Sequence, residues 1–402
     1  MHVAGIALCA VVMLVTLPVA VGAQERAPLV SSAELSGPLP LLPGALRVPI
    51  DLQVHLHAGR NALLGRRYGD ALEIFMALER RYPKSPIGPL GRMLLYETQM
   101  LENLDFDQSE AFVAAADEAR KRAEAALTQS GAEPWGLFLK GAIFGIDGLH
   151  SMRCERYWHA LGAGLKAMSA IKASRELASD FTDLHMGLGV YVYFRSMVTR
   201  KLPWLPFFPD RREEGIAEIE TSRHGSVYTP YISEVILTFV YGHEQRSDDC
   251  LRTGAEVLAR FPKNILVRLL MGRALGDSGR YLTALELFDE VLAIDATNRP
   301  AMFFAGRFRL AAGIELDRAR AYLEGFVARP PTARWRGWGN LRLGDVHERL
   351  GDLSRAVQCW KLAAQDIPAE PEVKRRLATA EHLAEWASRR PPTSPPPTGG
   401  GR

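Results

Sequence analysis

The feature that most constrains this chain is a spacing of small residues. In LRLGDVHERLGDLSRAVQCWKLAAQDIP, Gly344 is followed by Ala356 after twelve residues and by Pro368 after twelve more. Gly272 and Ala284 repeat the interval with Ala296 in the proline's place, and Gly59, Ala71 and Pro83 keep it near the other end. Gly306, Ala319 and Pro331 keep it with one extra residue in the turn, and Cys250 with Pro262 supply the second half of another unit. The marks Cys250, Ala284, Ala319 and Ala356 recur at 34, 35 and 37 residues. A period of this length denotes stacked supersecondary units.

The spacing has a direct physical sense. Each unit reads as two amphipathic helices joined by a short turn, and a small residue on each lets the backbones approach. A large side chain four residues after the second small residue, namely Phe75, Phe288, Leu323 or Trp360, fills the space beside it. Turn glycines such as Gly279 and Gly351 end the first helix, and the proline ends the second. One hairpin cannot bury its own apolar face, whereas stacked hairpins share a continuous core. Strand-like alternation is nearly absent, so the fold class is all-α.

The pattern resembles the tetratricopeptide repeat family, most specifically over three units from Ile265 to Pro368, with Gly272, Tyr281, Ala284 and Phe288 in place. The units at Tyr228 to Pro262 and Leu52 to Pro83 match more loosely. Between Pro86 and Val227 the units are longer: PLGRMLLYETQML, GLFLKGAIFGIDGL and DLHMGLGVYVYFRSM read as first helices, and EAFVAAADEARKRAEAALTQS, HALGAGLKAMSAIKASRELA and REEGIAEIETS as second helices. The resemblance implies a right-handed α-solenoid of about eight hairpins. The expected organisation is degenerate hairpins over 51–227, then a regular array with a capping helix over 228–388. A stretch of some 40 residues, with Gly187 to Gly189, Leu202 to Pro209, Asp210, Arg211 and Gly215, is similar to tetratricopeptide-39-type proteins and implies no defined activity.

The ends carry different signals. Residues 1–23 hold an apolar run that breaks at Pro18 and closes in Val21-Gly22-Ala23, the small-residue pattern of a signal peptidase site. Export follows, to a periplasm or the outside, although the usual Lys or Arg before the run is missing; the other reading is a retained membrane anchor, since the run is near the length that spans a bilayer. A flexible leader over 24–50 and a Pro/Gly-rich tail over 389–402, RRPPTSPPPTGGGR, have too little apolar surface to offset the entropy of ordering. Cleavage would leave Cys154, Cys250 and Cys359, enough for at most one intrachain bridge.

Gly189 and Gly215 stand 26 residues apart where other units have twelve, so this turn is expanded, partly by a longer first helix to about Arg200, and the insert proper is LPWLPFF. Asp210 with Glu213 reads as a capping box for the helix that follows. Trp204, Leu205, Phe207 and Phe208 in the insert either fold back on the solenoid, form a partner-binding prong, or enter a membrane face helped by Arg195, Arg200, Lys201, Arg211 and Arg212.

A formal net charge of +3 over 402 residues gives no case for nucleic acid. No zinc-protease helix, nucleophile elbow, phosphate loop or dinucleotide fingerprint occurs, and no cofactor, metal or enzymatic role is expected. What remains is surface. In the family it resembles, first helices line a concave groove that holds peptides, and the residue after the packing glycine points into it. Here these are Arg273, Arg307 and Asp345, with Arg60 as the N-terminal counterpart, and Phe303 and Trp338 are candidate apolar anchors. Arg273 and Arg307, 34 residues apart, would form a basic strip for a carboxylate-bearing ligand, or else pair with neighbouring acids. Leu270, Phe304 and Arg342 stand where the family's chaperone-tail clamp needs Asn, so that activity is not implied. The expectation is an exported scaffold or adaptor in the cell envelope with a protein or peptide partner. The alternative is a membrane-associated or lipid-binding helper.

Overall fold

The small-residue spacing becomes physical contact in the computed structural model, which describes residues 42–43, 46, 48–130, 133–199 and 209–388. Seventeen helices and no strands occur among the described residues: α1 (Ile50–Leu64), α2 (Tyr68–Arg81), α3 (Ile87–Asn103), α4 (Ser109–Ser130), α5 (Pro134–Arg153), α6 (Tyr157–Leu177), α7 (Leu184–Thr199), α8 (Arg212–Gly225), α9 (Pro230–His243), α10 (Ser247–Arg260), α11 (Ile265–Asp277), α12 (Tyr281–Ile294), α13 (Arg299–Ala312), α14 (Leu316–Ala328), α15 (Ala333–Arg349), α16 (Leu353–Asp366) and α17 (Pro371–Ser388). Consecutive helices pair from α1–α2 to α15–α16, giving eight hairpins with α17 after the last. The all-α repeat architecture is therefore what the spacing required.

The small residues work as expected. A methyl group on Gly344 would lie 2.5 Å from Trp360 Nε1 and 3.0 Å from the Ala356 carbonyl oxygen. On Gly272 it would meet Phe288 Cζ at 2.8 Å, on Gly306 Leu323 Cγ at 2.6 Å, and on Gly59 Phe75 Cε1 at 2.6 Å. Gly189 meets the backbone of Gly215, so the expanded hairpin closes like the others. Phe75, Phe288, Leu323 and Trp360 are buried.

Five of the turns inside the hairpins have a left-handed residue two positions before the second helix. Gly279 (φ 85°) and Gly351 (φ 84°) fill it in the regular array, whereas Arg66, Glu155 and Gln245 hold it elsewhere with φ of 60–61°. Glycine has no Cβ to clash there, and other residues reach it at a cost.

The chain divides into two compact units at 298/299. The sequence-derived boundary at 227/228 marks a change of repeat regularity and is not where the packing separates. Residues on both sides of it are tied together: buried Asp183 accepts from the backbone N–H of Val227, Tyr228 and Thr229 at 2.8–3.0 Å, at the start of α9. The end of the leader is also packed rather than loose. Leu42, Leu46 and Val48 are buried, Leu42 donates to Gln53 Oε1 at 3.0 Å, and Gln53 Nε2 donates to the Val48 carbonyl at 2.8 Å.

The expected capping box at α8 does not form. Arg211 is the N-cap residue, and its backbone N–H goes to Ser196 Oγ at 3.0 Å. Asp210 accepts from the backbone N–H of Arg212 at 3.1 Å, one turn position early, and Glu213 is exposed. Cys154, Cys250 and Cys359 are all free thiols. The leader peptide (1–23), most of the leader, Trp204, Leu205, Phe207, Phe208 and the tail lie outside the described residues.

Candidate functional site

Within the first unit the groove-facing position expected on α1 is packed against the chain itself. Arg60, expected to point into a groove, is 4% exposed and turned across the unit. Its Nη1 donates to the Tyr228 carbonyl at 2.9 Å, and its guanidinium lies 4.6 Å from the Tyr231 ring centre. Burial lowers this guanidinium to about 10, with the surrounding tyrosines and Asp183 opposing. His57 packs on Tyr228 with ring centres 4.6 Å apart, and Trp135, Phe138 and Phe181 continue the cluster. Asn264 Nδ2 donates to the Leu64 carbonyl at 2.9 Å, and Asn298 Nδ2 to the Glu102 carbonyl at 3.0 Å. Arg66 bridges Glu102 at 3.0 Å and Asp295 at 2.7 Å. The ends of α1 and α3 are thus tied to residues just before α9 and α11 and just after α12.

The second unit does carry a cleft. Arg307, Leu310 and Ala311 of α13, Arg342, Asp345, Glu348 and Arg349 of α15, and Arg376 of α17 line a space of about 480 Å³. Asp345 organises it from below. It follows Gly344, so the close approach of α16 brings Trp360 Nε1 to its Oδ1 at 3.2 Å. Arg342 reaches its Oδ2 at 2.9 Å, and Arg376 its Oδ1 at 2.9 Å. Arg342 also makes a two-pronged pair with Glu372, at 2.7 and 2.8 Å. Arg376 reaches Glu348 at 3.2 Å. The guanidinium planes are therefore set before any ligand arrives. Burial raises the Asp345 carboxyl against the pull of Arg342 and Arg376. The hydrogen bond from Arg342 holds Glu372 below its ordinary range. Arg307 lies over the Phe308 ring at 4.7 Å, and exposed Arg349 sits at the end of α15. The lining holds four guanidinium groups against two carboxylates, a basic surface with room for an extended acidic segment.

The sequence-derived candidates fall out unevenly. Arg307 and Asp345 come together in this cleft, with Asp345 as buried support rather than a contact surface. Arg273 belongs to the other unit and pairs with Asp277 at 3.4 Å. Phe303 and Trp338 are 5% and 7% exposed, which corrects their reading as surface anchors. Phe303 packs 5.1 Å from both Phe326 and Trp335, ring centre to ring centre, as core. Arg342, Arg349 and Arg376 were missed; the first two sit three residues before and four after Asp345, a helical spacing that places them on its face. Among the described residues no group of His, Cys, Asp and Glu could hold a metal ion, and no helix is long and apolar enough to cross a membrane.

No family model and no curated protein matches the sequence. Among solved structures the chain is similar to a thermophilic tetratricopeptide repeat protein of Thermus thermophilus, at 16% identity and TM-score 0.37, covering 48% of this chain and 100% of that one. It is similar to PilF of Pseudomonas aeruginosa at 16% and 0.43, covering 62% and 99%, and to yeast Tom70 at 13% and 0.43, covering 84% and 82%. Likeness at this level concerns the fold alone, and the repeat architecture rests on the chain's own hairpins.

Proposed function

We propose that this protein is a scaffold that holds another protein, and that the α13–α15–α17 cleft grips a carboxylate-bearing extended segment of that partner. The observation that supports this most is the convergence of Arg307, Arg342, Arg349 and Arg376 from three helices on one open space, with Asp345 and Glu372 fixing two of them. Such a site attracts acids at long range and holds them by forked hydrogen bonds. Arg307→Glu with Arg349→Glu is expected to weaken binding of Asp/Glu-rich peptides by at least about tenfold, since each reversal replaces attraction by repulsion. Arg273→Glu, in the other unit, should leave binding unchanged. Anisotropy titration of labelled peptides reads this, and crosslinking in intact cells identifies the natural partner. Unchanged peptide affinity in the double variant would remove the cleft from consideration. The apolar run closing in Val21-Gly22-Ala23 supports export to the envelope or beyond. A mature protein beginning at Gln24 is the result to seek by amino-terminal sequencing.

A second reading, attachment to a membrane surface, is favoured by α6. Trp158, Leu161 and Leu165 are 88%, 56% and 54% exposed and fall within roughly 60° of one another at helical spacing. No acid occurs from Tyr157 to Arg175, while Lys166, Lys172 and Arg175 are exposed and Arg156 precedes the helix. Apolar anchors flanked by basic groups fit an anionic phospholipid surface. Hydrogen exchange of α6 should slow in the presence of anionic vesicles, and Trp158→Ser with Leu161→Ser should cancel the effect. Equal exchange with and without vesicles would refute it.

A further inference from the structure

One cluster of reactive groups lies outside the cleft and outside the expectations from sequence. Cys154 closes α5, and its Sγ lies 3.5 Å from His150 Nε2, one helical turn earlier. The other ring nitrogen, His150 Nδ1, lies 2.8 Å from Glu97 Oε2 on α3. Glu97 is 1% exposed and its second oxygen accepts from Arg153 Nη1 at 2.7 Å. Arg153 is in turn held by the Met100 and Asp105 carbonyls at 3.2 and 2.8 Å. Phe112 stacks on the imidazole with ring centres 4.1 Å apart, and Phe106 meets it edge-on at 6.3 Å. The ring is therefore fixed in orientation: one nitrogen is committed to a buried carboxylate and the other is aimed at sulfur. Sulfur, imidazole and carboxylate in this order form the arrangement that activates a thiol.

We propose that Cys154 is a nucleophilic thiol, a site of thiol–disulfide exchange with low-molecular-weight disulfides, activated by His150 and positioned by Glu97. Cys154 is partly exposed, whereas Cys250 and Cys359 are buried, so only the first combines access with a partner. Hydrogen bonds from Cys154 and Glu97 overcome the downward effect of burial on His150 and raise it to about 9. An imidazolium at this distance from a sulfur stabilises the thiolate over the thiol. Burial pushes the Cys250 thiol the other way, up to about 12. The Cys154 thiolate attacks one sulfur of the disulfide, and a new S–S bond forms. The old S–S bond breaks with its electron pair on the departing sulfur, which takes the proton from His150 Nε2. The products are a mixed disulfide at Cys154 and one free small thiol, with no other oxidant needed. The charged groups bonded to the pair or adjoining it in the chain are Glu97 from α3, Arg153 from α5, and Glu155 and Arg156 in the turn after the cysteine, with the Asp105 carbonyl before α4 on Arg153.

The test uses the full chain, oxidised glutathione and an aromatic disulfide reagent as probes, and peptide mapping to assign each modified thiol. Cys154 should react at pH 6 at least about tenfold faster than an unstructured cysteine peptide. His150→Gln should remove that excess and return the rate profile to that of an ordinary thiol. Cys154→Ser should abolish the fast phase. Glu97→Gln, which keeps the hydrogen-bonding shape, should shift the profile without removing the fast phase. If His150→Gln disturbs the fold, the wild-type profile decides alone: a low-pH plateau sustains the proposal. A rate that climbs with one inflection in the ordinary thiol range overturns it, as does fast modification at Cys250 or Cys359 instead.

Discussion

Gly344 has no room for a side chain. Trp360 and the Ala356 carbonyl occupy the place a methyl group would take, and Trp360 is also held by Asp345. Gly344→Ala should therefore cost about 1–3 kcal/mol, by the usual scale for overpacking a core, read as a lower midpoint in urea. It should also disturb the cleft, because Asp345 follows it in the chain. Pairing it with Trp360→Leu should recover part of the loss; no recovery would show that the indole is not the obstacle. The same logic separates residues that look alike in sequence. Arg60 and Arg307 both follow a packing glycine, yet one is locked on Tyr228 and the other lines an open space. Which arginine is a contact and which a strut depends on what lies opposite, and sequence spacing does not carry that.

At the scale of elements, the turns and helix ends set the stability. Gln245 is exposed and holds a left-handed φ of 60° in the place where Gly279 and Gly351 stand in other hairpins. Gln245→Gly should raise stability by about 0.5–1 kcal/mol, the relief of the Cβ clash less the entropy glycine adds to the unfolded chain. A lowered urea midpoint would contradict this account of the turn. Glu244, at the end of α9, ties three helices: burial works upward on it, but hydrogen bonds from His243, Tyr193 of α7 and Arg212 of α8 outweigh this and bring it down to about 2. A carboxyl depressed in the folded state contributes stability that is full above its ordinary value near 4.5 and is lost as pH falls through about 2. Acid titration of the urea midpoint should show a loss of roughly 1–3 kcal/mol over that window. Glu244→Gln should flatten this part of the curve, and an unchanged slope would assign the acid sensitivity elsewhere.

At the scale of the molecule, the first unit departs from a simple stack. In a linear array each hairpin depends on its neighbours alone. Here Arg60 of α1 bonds to Tyr228 just before α9 and lies over Tyr231 within it, and Leu64 reaches Asn264 at the start of α11. Deleting residues 51–83 should therefore raise amide exchange in α9 and α11 as well as in the adjacent α3. Exchange confined to α3 would return the unit to nearest-neighbour behaviour. The second unit, with its own core of Phe303, Phe326, Trp338 and Trp360, contains all the side chains of the proposed cleft.

Sequence alone determined the architecture: period, pairing of helices, the small residues at their crossings and the large side chains beside them. These are local rules, repeated often enough to be read against background. It also picked out Arg307, which lines the cleft. Tertiary structure decided the rest. Helices distant in the chain meet only when several hairpins have stacked, so the closure of the first unit over Tyr228 had no local signal. The burial of Phe303 and Trp338 was equally hidden, since an aromatic on a first helix serves a groove or a core with the same spacing. The grouping of Cys154, His150 and Glu97 joins a one-turn spacing within α5 to a carboxylate from α3, and the fold alone brings that carboxylate to the imidazole.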